Sequence, residues 1–296
     1  MALRFEQIDL EKQSDYSRLF SECPQKSSDY SFSNLWSWAD EYGLVWSWTG
    51  GLVWIKQTIP KACFWAPVGN WENTDWEKRL DEIGKPAEFT RVPETLADMW
   101  RATLGPRAVI EESREHWDYL YNVADLVGLK GNRFHKKKNL LNQFKKKYDY
   151  QYLDLDERLV ELAFGMQENW CTWRDCEAEE VLDAENAAIT NVLSHWEALD
   201  RLLGGAITVD GEMVAYTIGE RFSDDTLLIH FEKGSPGYKG VYQAINQMFL
   251  ENVRGEFEWV NREQDLNNEG LRKAKMSYNP VGFVKKYTVQ LSDSRG

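Results

Sequence analysis

The sequence predicts a mixed α/β protein of two domains, on three observations. Hydrophobic residues fill 43% of 296 positions, enough for two cores. Apolar spacing alternates between strand and helix periods along the chain. The second half ends in strand–helix–strand order, which favours a right-handed parallel crossover.

In the first half, Ser31 to Tyr42 reads as one helix with Phe32, Leu35, Trp36 and Ala39 on a face. Leu44 to Thr58 reads as a hairpin turning at Thr49-Gly50-Gly51. Thr74 and Glu77 have capping-box spacing and should open a helix. A strand near Glu88–Val92, a helix over Glu94–Ala102 and a strand through Tyr119 and Leu120 follow. A basic helix comes next, with Leu140, Leu141, Phe144 and Tyr148 as its apolar stripe.

In the second half, Tyr150–Leu155 is a strand and Asp156 caps a helix carrying Leu159, Leu162, Ala163 and Met166. A long helix covers Ala178–Leu199. Strands Leu203–Val209 and Met213–Phe222 are joined by Asp210-Gly211, a two-residue hairpin signal. Thr226–Glu232 is the next strand. The loop Lys233–Gly240 and a helix from Val241 to Val253 follow it. A strand at Phe257–Arg262, a helix at Asn267–Tyr278 and a final strand at Phe283–Leu291 complete the chain.

This is the element order of the acyl-CoA N-acyltransferase fold, in which a phosphate loop follows the central strand. The first half carries a weaker version of the same order. The expected class is α+β (mixed α/β): two tandem acyl-CoA N-acyltransferase-like domains, each a mixed sheet flanked by helices. Their expected bounds are residues 1–149, ending in the basic helix, and 150–296, holding the loop.

Composition narrows the function. A net charge of −13 argues against indiscriminate nucleic-acid binding. Yet Lys130 to Tyr148 contains no acidic residue and eight basic ones, so a local patch can recruit tRNA or an anionic phospholipid. No apolar run is long enough to span a bilayer, and the N-terminus lacks a signal core, so a cytoplasmic location is expected. Four cysteines, Cys23, Cys63, Cys171 and Cys176, suggest reduced thiols. No metal-ligand spacing occurs, so no metal site is expected. Of the fourteen tryptophans, eight crowd the stretch from Trp36 to Trp76, as core residues, as pocket lining or as side chains resting at a lipid interface.

Certain strings are more specific. Asp125 to Asn139, His230-Phe231-Glu232-Lys233, Tyr238 to Asn246 and Val260 to Leu266 resemble motifs of the lysylphosphatidylglycerol synthase C-terminal domain family. Glu269 to Tyr278 and Lys285-Lys286-Tyr287 complete the pattern. The resemblance runs from about Phe32 to Tyr287 and is nearest to the stand-alone soluble members. It implies a tandem acyltransferase fold, and transfer of an aminoacyl group from charged tRNA. The acceptor implied is a lipid, a peptide or a small molecule. The expected departure from the membrane synthases is the lack of their flippase portion, which counts against a lipid acceptor.

The residues suggest the chemistry. Gly237, Tyr238, Lys239 and Gly240 stand before a helix, where free N–H groups and the helix dipole suit a donor phosphate or an oxyanion. An ordinary strand-to-helix turn accounts equally for the glycines. Glu232 is the candidate base, with His230 two residues away and so on the same side of the strand. A carboxylate paired with Lys233 or Lys239 is the structural alternative. Asn261, Arg262 and Asp265 follow the next strand, where a cleft should open. Arg262 suits phosphate or carboxylate. An ion pair with Glu263 or Asp265 is its plain alternative. On the last helix, Leu271, Ala274 and Tyr278 read as a core stripe, and Arg272 and Lys275 share a face suited to an anionic acceptor. Tyr242 is a candidate proton donor. Arg133, Lys136, Lys137 and Lys138 are candidates for tRNA or an anionic surface.

No tightly bound cofactor is expected. Acyl-CoA or aminoacyl-tRNA would arrive as co-substrate. An acyl-CoA-dependent N-acetyltransferase of an amine or peptide, and a non-catalytic binding module, remain the alternatives.

Overall fold

The computed structural model describes residues 3–83, 87–176 and 180–292. In chain order the strands are β1 (Glu6–Gln7), β2 (Val45–Thr49), β3 (Leu52–Gln57), β4 (Cys63–Trp65), β5 (Val68–Gly69), β6 (Ala87–Pro93) and β7 (Ala108–Glu112). They continue as β8 (Asp118–Asn122), β9 (Tyr150–Asp154), β10 (Leu202–Val209), β11 (Glu212–Arg221), β12 (Thr226–Gly234), β13 (Trp259–Asn261), β14 (Gly282–Val284) and β15 (Lys286–Leu291). The helices are α1 (Gln13–Ser21), α2 (Phe32–Ser37), α3 (Ala39–Tyr42), α4 (Trp76–Asp81), α5 (Glu94–Leu104) and α6 (Val123–Gly128). After them come α7 (His135–Lys147), α8 (Glu157–Arg174), α9 (Glu180–Ser194), α10 (Val241–Asn252) and α11 (Glu269–Met276).

The chain forms two compact units, each around one mixed sheet flanked by helices. The first comprises Met1–Asp118, Gln264–Asn267 and Val284–Gly296. The second comprises Tyr119–Glu263 and Asn268–Phe283. The units interleave in sequence, whereas the sequence reading divides the chain after residue 149. One reason is α7, whose Leu141 and Phe144 are buried with α10 in the core of the second unit.

In the first unit the sheet order is β1-β2-β3-β4-β6-β15-β7, with β5 on β3. The core is aromatic: Phe89 and Trp100 meet edge to face at 4.8 Å, and Trp46 meets Trp48 at 5.1 Å. At its centre Arg91 pairs with Asp29 at 2.6 Å, and Lys286 bridges Asp29 to Asp118, 2.6 Å away. Burial opposes the Asp29 charge, but Lys286 and Arg91 hold its carboxyl far below the usual range. Lys286, part of the terminal string Lys285-Lys286-Tyr287, is thus a buried structural cation.

In the second unit the order is β14-β8-β13-β12-β11-β10-β9. Asp210 and Gly211 both take positive φ, 52° and 85°, as the tight β10–β11 hairpin requires. Asp156 caps α8 through the N–H groups of Arg158 and Leu159. Ala215, Leu227 and Ile229 join the core under α10. Tyr216, alternate to Ala215, bonds Gln167 of α8 at 2.5 Å on the other face.

Several expectations need correction. The helix over Ser31–Tyr42 breaks at Trp38, whose φ/ψ of −98°/5° interrupts it. The cap of α4 is Asp75, bonded to the Lys78 N–H, while the Thr74 hydroxyl turns back to the Asn70 carbonyl. The final strand divides at Lys285, and its halves enter different sheets. Cys171 and Cys176 form a disulfide: Asp175, at φ 55°, turns the chain at the end of α8 and brings their Cα atoms to 4.9 Å. Leu271 and Ala274 are exposed, because only Tyr278, beyond the end of α11, turns into the core. The expected start of the long helix at Ala178 lies outside the described residues.

Candidate functional site

The second unit opens its sheet at one place. β12 and β13 run parallel for three paired residues, ending at Leu228 and Asn261, while β12 continues to Gly234. Beyond that point the residues of β12 and those following β13 face one another without a backbone ladder. Such a parting at strand carboxyl ends gathers ligand groups in open α/β sheets.

Glu232 and Arg262 meet there. The Arg262 Nη2 donates to Glu232 Oε1 at 3.2 Å, and the Asn246 amide of α10 donates to Oε2 at 3.1 Å. Both side chains are nearly buried. Neither Lys233 nor Lys239 takes Glu232, and neither Glu263 nor Asp265 takes Arg262. The guanidinium lies 5.0 Å from the Tyr278 ring centroid and 5.9 Å from that of Tyr121. Burial works against its charge, but Glu232 and the tyrosines keep it more firmly protonated than usual. Its other terminal nitrogen, Nη1, is buried without an acceptor. Lys137 of α7 places Nζ 4.1 Å from the same Tyr278 ring. Burial, and then the Arg262 charge, lower its pKa. Gln243 donates to the Tyr278 hydroxyl at 3.4 Å, and burial raises the pKa of that phenol. Lys275 bonds the Arg262 carbonyl, and the Tyr121 hydroxyl bonds the Lys275 carbonyl at 2.9 Å.

His230 does not share the surroundings of Glu232. A bulge in β12 opposite Ile218 and Gly219 leaves His230 without a cross-strand partner and breaks the two-residue alternation. Its side chain is 1% exposed, with Nδ1 2.9 Å from Glu263 and Nε2 3.3 Å from Glu220. Burial disfavours the imidazolium, yet hydrogen bonds to Glu220 and Glu263 push its pKa up to about 9. His230 thus stands between two carboxylates that favour its charged form.

The glycine loop is engaged in packing. Gly240 has φ 89°, and a Cβ on it would fall 2.3 Å from the Leu140 carbonyl oxygen of α7. Its bare backbone lets the loop press onto that helix. The N–H groups of Tyr238 and Val241, expected to be unpaired, bond Ser235 and Tyr238 carbonyls at 3.2 and 3.1 Å. Gly237 and Lys239 are exposed, and Tyr238 packs its ring 5.0 Å from Tyr148. Tyr242 accepts a hydrogen bond from Trp170 at 3.2 Å, and burial raises its pKa. Next to it, Lys233 pairs with Glu185 at 2.6 Å under the Trp170 ring.

The remaining candidates are dispersed. Asn261 accepts the Glu263 N–H at 2.8 Å. Asp265 belongs to the first unit, where it is buried against Arg114 at 3.2 Å and the Asn267 N–H at 3.0 Å. Arg272 is half-buried on α11. Arg133 pairs with Asp125 at 2.6 Å, and Lys136 and Lys138 are exposed. Sequence reasoning grouped Lys137 with that surface, although it turns inward, and missed Asn246, Gln243 and Tyr121. A polar pair, Asn246-Gln247, inside an apolar helix was the signal for the first of these. Among the described residues no group of three or more His, Cys, Asp or Glu is placed to hold a metal ion.

Comparison with known proteins bears on the family and the fold. The family profile described as "Phosphatidylglycerol lysyltransferase, C-terminal" matches residues 20–290. A conserved protein of unknown function from Bacteroides thetaiotaomicron VPI-5482 is 29% identical. It superposes with a TM-score of 0.87 over 98% of this chain and 100% of that one. L-PGS from Bacillus licheniformis is 12% identical, with a TM-score of 0.65 over 98% of this chain and 94% of that one. At that identity the likeness concerns the fold. An uncharacterized protein of Mycoplasmoides gallisepticum is 26% identical over 187 residues, or 62% of this chain and 58% of that protein. The match thus spans less than two thirds of that relative's length. No helix among the described residues is long and apolar enough to cross a membrane.

Proposed function

The chain belongs to the phosphatidylglycerol lysyltransferase C-terminal family, and from that premise we propose that its second unit transfers an aminoacyl group from an RNA carrier to a hydroxyl or amine acceptor. One observation carries the reading: the Glu232–Arg262 pair stands where β12 and β13 part, with Lys137 beside it. A transfer site needs a proton acceptor and a stabiliser for the oxyanion.

In this reading the acceptor oxygen or nitrogen bonds to the carbonyl carbon of the carrier ester. Its proton passes to Glu232, which Asn246 and Arg262 hold in place. Arg262 Nη1 and the Lys137 ammonium face the developing oxyanion. When the ester C–O bond breaks, the proton on Glu232 goes to the departing ribose oxygen. The acceptor is a phospholipid, a peptide or a small molecule.

The test is label transfer from aminoacyl-tRNA to phosphatidylglycerol vesicles and to amine-bearing peptides, with Glu232→Gln alongside. The expected result is transfer by the native chain and its loss in the variant. Equal transfer by both would sink the assignment of Glu232. Transfer from acetyl-coenzyme A alone would replace the aminoacyl donor with an acyl thioester.

A further inference from the structure

The pairing of β12 with β13 ends at Leu228 and Asn261, and side chains span the gap beyond. Glu232 meets Arg262 at 3.2 Å, and His230 Nδ1 meets Glu263 at 2.9 Å. His230 is available for this because of the bulge. Gly219 has no Cβ, which would fall 2.5 Å from the Leu228 carbonyl oxygen, so β11 and β12 close up there and leave His230 out of the pairing. Glu220 of β11 stands 3.3 Å from Nε2, and the ring is 1% exposed.

Glu263 takes a φ of 54°, a left-handed conformation that costs energy in a residue with a Cβ, so its surroundings must hold it. Its N–H donates to the Asn261 side chain at 2.8 Å, and its carbonyl accepts the Tyr119 N–H at 3.1 Å. The Arg262 N–H donates to the Tyr119 carbonyl at 3.0 Å, and Lys275 bonds the Arg262 carbonyl. These contacts fix the turn to β8, α11 and itself. The His230 contact comes from β12, the strand that carries Glu232. We infer that His230 is a positioning residue: its Nδ1–Glu263 bond sets the turn after β13 and so aims the Arg262 guanidinium at Glu232. The inference rests on the transfer reading for the purpose of that aim. A ring that merely filled space between β11 and β12 would leave Arg262 where it is.

Two substitutions separate the roles. In His230→Asn the amide nitrogen falls near the place of Nδ1 and can still reach Glu263, whereas in His230→Gln it reaches toward Glu220. Both remove the ring and its charge. A double-mutant cycle of Glu232→Gln and Arg262→Met, read by urea unfolding, gives the coupling between the two residues in each background. The coupling should fall by about half or more in His230→Gln and survive in His230→Asn. Glu263→Ala should act like His230→Gln, and serves if that variant does not fold. Glu263→Gln, which keeps an acceptor for Nδ1, should preserve the coupling. In transfer assays His230→Gln should lower kcat roughly tenfold with KM unchanged, and His230→Asn should restore most of it. Equal coupling in all backgrounds, or equal losses from asparagine and glutamine, would overturn the assignment. The cycle needs no turnover, so a native chain that transfers nothing sinks the transfer reading alone.

Discussion

Arg262 Nη2 stands 3.2 Å from Glu232 Oε1, joining the residue that follows β13 to one in the part of β12 that no longer pairs with β13. The strands have parted there, and a side-chain ion pair spans the gap. Glu232 then has both oxygens committed, one to Arg262 and one to Asn246.

Glu232→Gln keeps the shape of the site and removes the proton acceptor. Transfer should fall by roughly a hundredfold or more. Asn246→Ala should cost less, since it loosens the carboxylate without deleting it. Rates of label transfer under single turnover check both.

Gly240 and Gly237 separate packing from mere loop composition. Gly240→Ala puts a Cβ against the Leu140 carbonyl at a φ of 89°, and should destabilise the chain by about 2 kcal/mol or more. A Cβ on Gly237 would meet the Ser235 hydroxyl at 3.8 Å, an ordinary contact, so Gly237→Ala should stay within about 0.5 kcal/mol. Urea unfolding followed by tryptophan fluorescence measures the difference.

His230 gives a signed pH dependence. Its folded pKa, about 9, lies above the ordinary 6.5, so its contribution is complete below pH 6.5 and is lost as pH rises through 9. The loss should be on the order of 3 kcal/mol. His230→Gln should flatten stability over that window. An unchanged slope in the variant would show that another group titrates there.

In the first unit, Lys286→Met leaves Asp29 and Asp118 buried with one cation fewer. Breaking such a network should cost about 3–5 kcal/mol. Lys61→Met, which breaks a solvent-screened pair with Glu88, should leave the midpoint nearly unchanged. Denaturant midpoints of the two variants decide it.

Local rules made much of the fold legible. Asp210-Gly211 announced a hairpin because only a few residue pairs accept positive φ twice. Asp156 announced a helix start because its carboxylate meets free N–H groups. Glu232, Arg262 and Lys275 were readable one by one as polar candidates on three different elements, and in the structure Arg262 meets both of the others. Tertiary facts were not readable. The bulge at His230 depends on the register of β11. The inward turn of Lys137 depends on Tyr278, far along the chain. The buried role of Lys286 depends on two aspartates in the first half, and no periodicity marks a lysine as core.

The division at Lys285 governs the order in which the chain can be completed during synthesis. β15 lies between β6 and the edge strand β7, so the sheet of the first unit has a vacant lane beside its edge until Lys286–Leu291 is made. The N-terminal hundred residues must wait, with β6 and β7 unjoined, through translation of nearly the whole second unit. A truncation after Val284 should therefore leave the first unit unable to fold, however well its own sequence is formed.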